Sequence, residues 1–428
     1  MPSRLSVIIT LGSTQTLAWG SSYYLPAILA DPISRSLGIS STWFFAAFSA
    51  SLLIAALIGP RVKPRTLAQA VRPAALPAVV HLDGGHDWGG GQNQVRLLMH
   101  ELAELGLRQI CLCPEGSPLH QRLIEERLPV RGITRRVAVN PLGIMDLSRR
   151  IRGYNVLHAH DAHALQMALL PAATLGIPVV ASRRTGFRTS ALKWNRAARV
   201  IAVSASVRDV LIQSGVKPWK VRLIHSGINV REVQSLPAAR PNLRSLAGIT
   251  PDTFLAATIG ALIGCKNHVT LVDAAAESED VRWAVIGDGP MRPAIEQRMR
   301  ERGITDRVWL AGRIDDARRM LQEMDLFVFT SVGEALGTSV LDAMAAGIPV
   351  IAADSAGPAE VLAPVHARTN ASLFPPDDPA ALTRLVHAVR TDPVLRERMM
   401  AAQNSRIEDF RSDRMAMKTL DVYREVLR

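Results

Sequence analysis

The sequence predicts an α/β protein whose two Rossmann-like, doubly wound parallel-sheet domains face a cleft, preceded by a hydrophobic helical hairpin. Three observations carry this expectation. Short apolar runs alternate with helical patterns from Pro77 onward; the alternation restarts after the turn-rich stretch Pro237 to Pro251; and two long uncharged stretches, Leu5 to Ala30 and Ser36 to Pro60, precede it all. A chain of 428 residues has room for about two or three domains, and 48% hydrophobic residues exclude disorder as the main theme.

Each uncharged stretch exceeds the roughly 20 residues that a helix needs to cross a bilayer core. The short segment Asp31 to Arg35 between them fits a tight loop joining two antiparallel spans. Arg61, Lys63, Arg65 and Arg72 follow the second stretch, so the positive-inside rule places both ends of the hairpin in the cytoplasm. The charged start is too thin and the run too long for a cleaved signal peptide, and a second span follows it. Residues 1–76 are therefore read as a hairpin plus a Pro-rich basic linker.

In the first domain, residues 77–240, the expected strands are Val79 to Leu82, Ile110 to Cys113, Val156 to His158, Pro178 to Ala181, Val200 to Val203 and Val221 to Ile224. A helix is expected over Gln92 to Leu105, with Val95, Leu98, Leu102 and Leu105 on one stripe. The second domain, residues 241–428, repeats the cycle. Its strands are expected at Phe254 to Ile259, Trp283 to Ile286, Val308 to Leu310, Leu326 to Phe329 and Pro349 to Ala352. Helices are expected at His268 to Ala276, Pro290 to Arg302 and Ser339 to Ala346. Two such domains imply a cleft between them, the ordinary place for a ligand in this architecture.

The formal charge of +12 permits a phosphate-rich or membrane-surface partner. With 5% aromatic residues, no zinc-finger spacing and no long Lys/Arg run, no nucleic-acid partner is expected. Cys111, Cys113 and Cys265 are too few for a disulfide framework, fit a reducing compartment, and are read as small buried hydrophobes. Six basic residues (Arg4, Arg35, Arg61, Lys63, Arg65, Arg72) against Asp31 give residues 1–76 a charge of +5, which leaves +7 for the two domains. The loop holding Arg183, Arg184 and Arg188, followed by Lys193, Arg196 and Arg199, is expected to form a basic cluster that docks on anionic lipid and helps hold an anionic acceptor.

Three glycine-bearing turns stand between expected strands and helices. Gly89-Gly90-Gly91 lets backbone amides approach a ligand closely at a helix start that favours anions. Its spacing is neither a dinucleotide fingerprint nor a Walker loop. Gly260 to Lys266 occupies the same position in the second domain and places a cation at the cleft. The densest segment is Ser331 to Met344. There Glu334 stands in a loop at a strand's carboxyl end, Gly337-Thr338-Ser339 opens a helix with free amides, and Asp342 lies eight residues beyond Glu334.

From about Ala78 to its end the chain resembles a family 4 glycosyltransferase of the retaining GT-B class. The resemblance is carried by Gly89-Gly90-Gly91-Gln92, Val156 to Asp161, Ala202-Val203-Ser204, His225-Ser226-Gly227-Ile228, the Gly260 to Lys266 turn, Ile286-Gly287-Asp288-Gly289-Pro290 and the segment at Glu334. It implies that Glu334 contacts the donor sugar and that Ala335, Leu336, Gly337 and Thr338 form the loop meeting sugar or diphosphate. Lys266 would neutralise the diphosphate, with Gly260, Gly287 and Gly289 also on the donor side. It further implies that Gly90 and Gly91 face diphosphate and acceptor, and that His160 lines the donor–acceptor junction as a catalytic residue beside Glu334 and Lys266. Asp342 stands where the family usually has a Glu that binds ribose, and Ala261 where many members carry an Arg. No paired-aspartate motif lies in a suitable loop, so no metal and no cofactor are expected besides the nucleotide sugar.

What the resemblance implies is retaining, metal-independent transfer of a sugar from a nucleoside-diphosphate sugar to an acceptor, either lipid-linked or a lipopolysaccharide or other cell-surface glycan. The catalytic domains would be cytosolic, at the cytoplasmic face of the inner (plasma) membrane. Residues 16–62 resemble the first two helices of a major facilitator superfamily transporter. A membrane-transport component, a GT-B nucleotide-sugar epimerase and a degenerate binding protein are the rival readings.

Overall fold

The computed structural model describes Ser40, Thr42, residues 76–133 and residues 141–428. Apart from Ser40 and Thr42, the expected membrane spans and the transporter-like segment fall outside the described residues. Among the described residues no helix is long and apolar enough to cross a membrane. Leu76–Arg428 forms one compact unit.

Two parallel sheets organise that unit. The first contains β1 (Val79–Leu82), β2 (Gln109–Pro114), β3 (Val130–Ile133), β4 (Val156–Ala159), β5 (Val179–Arg183), β6 (Arg199–Ala202) and β7 (Val221–Leu223), in the order β3-β2-β1-β4-β5-β6-β7. The second contains β8 (Phe254–Ile259), β9 (Val281–Ile286), β10 (Val308–Gly312), β11 (Leu326–Phe329), β12 (Val350–Ala353) and β13 (Leu373–Phe374), in the order β10-β9-β8-β11-β12-β13. β1, β4, β11 and β12 are mostly apolar and buried along their whole length, as helices on both faces of a parallel sheet require, with His81 and His158 the polar exceptions.

The strand order reverses beside β1 in the first sheet and beside β8 in the second. The loops after β1 and β4, and those after β8 and β11, therefore open at the switch points where doubly wound sheets bind ligands. These four loops carry the expected site. In the first domain Asp161 ties two of them together, accepting from Gly84 N at 2.6 Å while it caps the helix Ala162–Leu175 through His163 N and Ala164 N.

Two strands are additions to the sequence expectation. In β3, Arg131 and Gly132 interrupt the apolar pattern, and β13 has only two residues. The end of the chain also departs from the expected division at residue 240. Its last helix, Ser412–Val426, packs on the first sheet: Met415, Leu420 and Tyr423 join Val79, Leu97, Val156 and Ile201 in one buried cluster. Fully burying side chains of this size contributes roughly 1.5–3 kcal/mol each. Glu425 fastens the helix further by pairing with Arg199 of β6 and Arg222 of β7. Cys111 and Cys113 are buried as expected, whereas Cys265 is exposed in the loop after β8.

Candidate active site

The second domain builds the anion-binding side. β8 ends at Ile259 and the chain turns through Gly260 to Lys266; β11 ends at Phe329 and leads into the Glu334 loop. The two loops are stitched together, Thr330 Oγ1 donating to the Lys266 carbonyl at 2.8 Å and Val332 N to the Cys265 carbonyl at 2.8 Å. Across this stitch Lys266 Nζ donates to Glu334, and the same ammonium lies 4.9 Å from the centre of the Phe329 ring. The Glu334 loop is held from behind, its carbonyl accepting from Gly357 N and Gly333 N donating to Ser355 Oγ.

The helix Thr338–Ala345 starts from this loop, and no side chain caps its amino end. Its first amides therefore lack intrahelical partners and present a positive dipole end to the cleft. The Gly287 turn packs against the Gly260 turn so closely that a Cβ at Gly287 would run into the Gly260 carbonyl oxygen, and its φ of +148° suits glycine. About one turn into the helix, Asp342 is partly buried, its Oδ1 enclosed and unpartnered. Burial pushes its pKa up to about 7; Arg318 pulls it down, while Asp316 and Glu232 push it up. Arg318 is itself bound to Asp316 at 2.7 Å and Glu232 at 3.0 Å, and Glu232 reaches Arg96 of the first domain at 3.2 Å.

The first domain closes over this surface. Gly90 faces Thr338 so closely that a Cβ there would stand 3.0 Å from Thr338 Oγ1. Between the domains lies a cleft of about 930 Å³, lined by Gly89, Gly90, Ala261, Thr338 and Asp342 among others. Its first-domain wall includes Trp88, with the Arg122 guanidinium 4.1 Å from the centre of the ring. Beside the cleft, Lys266 and Glu334 are paired with each other, both side chains partly exposed.

The structure thus brings together Gly90, Gly260, Lys266, Gly287, Glu334, the Ala335 to Thr338 turn and Asp342. His160, by contrast, does not line the cleft. His160 is buried beneath the glycine loop, where Arg184 donates to its carbonyl at 2.5 Å and to its Nδ1 at 3.1 Å. The chain of bonds fixes the tautomers. Gln109 Nε2 donates to the Met99 carbonyl, so its Oε1 accepts from His81 Nε2; His81 Nδ1 must then accept from His160 Nε2 at 2.9 Å. Burial holds His160 and His158 well below the usual histidine pKa and His81 down to about 4, so all three are neutral at pH 7.

These three histidines are the cluster with metal-like spacing among the described residues, their ligand atoms lying within 4.8 Å of one another. Every ring nitrogen already faces a protein partner, the two of His158 being taken by Tyr423 Oη at 2.6 Å and Ser182 Oγ at 2.8 Å. The cluster is a packed polar network and leaves no ring nitrogen open to a metal ion.

The expected basic cluster is also rearranged. Arg183 is buried and donates to the Thr185 and Phe187 carbonyls of its own loop; Arg184 is turned inward onto His160, with burial lowering its pKa; Arg188 remains exposed. Charge counted along a sequence carries no direction, and here two of the three guanidiniums are turned inward, Arg183 onto its own loop and Arg184 onto His160. Arg318 and its ion-pair chain had no sequence signal, since Glu232 and Arg96 lie far from Arg318 and Asp316 along the chain. Trp88, immediately before the Gly89-Gly90-Gly91 turn, could have been singled out.

Comparison with known proteins agrees with this construction. Residues 88–232 match the model described as Glycosyltransferase Family 4, and residues 240–406 match that of Glycosyl transferases group 1. The chain is 26% identical over 326 residues to the lipopolysaccharide core biosynthesis glycosyltransferase LpsD of Rhizobium meliloti, covering 76% of this chain and 91% of the relative. It is 28% identical over 332 residues to a GDP-mannose-dependent alpha-mannosyltransferase of Mycobacterium tuberculosis, covering 70% and 84%. Among solved structures it is similar in fold to Anabaena HepE in complex with UDP-glucose, with a TM-score of 0.71, 20% identity, and coverage of 82% of this chain and 100% of that one.

Proposed function

We infer that this chain, a glycosyltransferase built on the GT-B fold, takes its sugar from a nucleoside-diphosphate donor and passes it, with retention and without a metal, to a lipid-linked or cell-surface glycan acceptor. The observation that carries this reading is the uncapped start of the helix Thr338–Ala345, set opposite Gly90, with Asp342 in the same helix and the Lys266–Glu334 pair on the loops after β8 and β11. The bond to be broken joins the anomeric carbon to the diphosphate. As it lengthens, negative charge gathers on the phosphate oxygens, and fixed amide dipoles with a nearby ammonium stabilise that charge without reorganising. In this reading Glu334 meets the sugar hydroxyls and Asp342 the ribose. The acceptor oxygen forms the new bond on the face that the diphosphate leaves, and its proton passes to the departing phosphate.

The relatives with lipopolysaccharide-core and mannosyl-transfer names support the donor and acceptor classes. None of the proteins named above is a transporter or an epimerase. The proposed location is the cytoplasmic face of the inner membrane, with residues 1–76 as the anchor. A thermal-shift panel of UDP-, GDP- and ADP-sugars tests the donor: one family should raise the melting temperature, since a ligand that binds only the folded state stabilises it by mass action. NMR of the product's anomeric proton tests retention, and turnover in excess EDTA tests metal independence. An inverted product, or activity lost to EDTA and restored by a divalent ion, overturns the corresponding part.

A further inference from the structure

Three of the most exposed large apolar side chains in the described residues lie on two adjoining loops of the first domain: Phe187 (68% exposed), Leu192 (66%) and Trp219 (63%). The loops are joined by hydrogen bonds from Thr189 N to Ser214 Oγ, from Asn195 Nδ2 to the Gly215 carbonyl and from Lys217 N to Asn195 Oδ1. They therefore form one surface. Exposed Arg188, Arg196 and Lys217 and partly exposed Lys193 interleave with the apolar groups, the Lys217 ammonium lying 5.2 Å from the centre of the Trp219 ring. From Ala162 to Arg231 the sequence contains a single acidic residue, Asp209, which pairs with Arg208. A cationic face bearing exposed aromatic and aliphatic side chains is electrostatically and chemically matched to an anionic lipid surface, where aromatic rings sit at headgroup level beside Lys and Arg.

We propose that the surface formed by Phe187, Arg188, Leu192, Lys193, Lys217 and Trp219 docks on the headgroup region of an anionic phospholipid bilayer. The proposal deepens the reading of a lipid-linked acceptor and rests on it. It also differs from the sequence expectation, because Arg183 and Arg184 are turned inward and the apolar contacts were unassigned. The position suits the reaction: Gly186, beside Phe187, lies against the Gly333 carbonyl, one residue before Glu334, so docking here brings the donor loop to the lipid surface. Arg183 ties this rim to its strand by bonding the Thr185 and Phe187 carbonyls.

Because the full chain carries residues 1–75, bulk partitioning does not isolate this face; the readout is local. Hydrogen exchange of the full chain is measured on phosphatidylcholine vesicles with and without phosphatidylglycerol. Phosphatidylglycerol should slow exchange in residues 186–195 and 214–220 by about tenfold. High salt should remove the effect, and so should the variants Lys217→Glu and Trp219→Ser. Donor-sugar hydrolysis without acceptor is followed in parallel and should be unchanged in both variants. Equal exchange on both vesicles, or protection by a soluble polyanion such as RNA in place of phosphatidylglycerol, overturns the docking surface. Absence of donor hydrolysis in the unaltered chain instead overturns the enzymatic reading, whatever the vesicles show.

Discussion

Lys266 and Glu334, on the loops that follow β8 and β11, are bound to each other beside the Phe329 ring. A donor that uses both must separate them, the diphosphate drawing the ammonium and the sugar hydroxyls the carboxylate. Lys266→Met is expected to lower turnover by roughly 10²–10³, the usual loss on removing one group that stabilises transition-state charge. Glu334→Ala should abolish transfer yet leave the affinity for a sugar-free nucleoside diphosphate unchanged or tighter, because the ammonium is released from its competitor. Calorimetric titration beside steady-state kinetics checks both, and weaker binding of the bare diphosphate by Glu334→Ala would contradict the arrangement.

Gly90 and Thr338 approach each other across the cleft with little spare room. Gly90→Ala places a methyl 3.0 Å from Thr338 Oγ1 and should hold the domains apart. Displacement of reacting groups by an ångström can cost about 10²-fold in rate. Thr338→Ala in the Gly90→Ala background removes the obstructing hydroxyl and should recover part of the lost activity, measured as kcat at saturating donor.

Asp342 predicts a pH dependence of stability. Its folded-state pKa, about 7, lies above the unfolded value of 3.8, so between these limits the folded chain holds a proton that the unfolded chain has released. Stability therefore falls as pH rises through this window, with a limiting slope of about 1.4 kcal/mol per pH unit from this group. Asp342→Asn should flatten that part of the curve and raise the melting temperature at pH 8 relative to pH 5, seen by comparing denaturation midpoints across pH.

His160 separates a structural role from a catalytic one. His160→Ala strips a hydrogen-bond partner from His81 and from Arg184 in a buried network, at a cost of about 1–3 kcal/mol for each group left unsatisfied. The expected result is a lower urea midpoint with donor affinity retained in the folded protein. A variant of unaltered stability that fails only in transfer would return His160 to the catalytic set.

The alternation of strand and helix was legible in the sequence because each apolar run or stripe is a local pattern, and most strands fall where the periodicity places them. β3 and β13 escaped because Arg131 and Gly132 break one pattern and two residues cannot make another. The glycine turns, Lys266, Glu334 and Asp342 were also legible, since loops at the carboxyl ends of parallel strands must meet at a switch point. Only the tertiary structure decided what those groups touch: the bond between Lys266 and Glu334, the inward turn of Arg183 and Arg184, the burial of His160, and the return of the last helix to the first sheet. Most of these join residues distant in sequence, and all depend on direction and burial, which a one-dimensional order of residues does not encode.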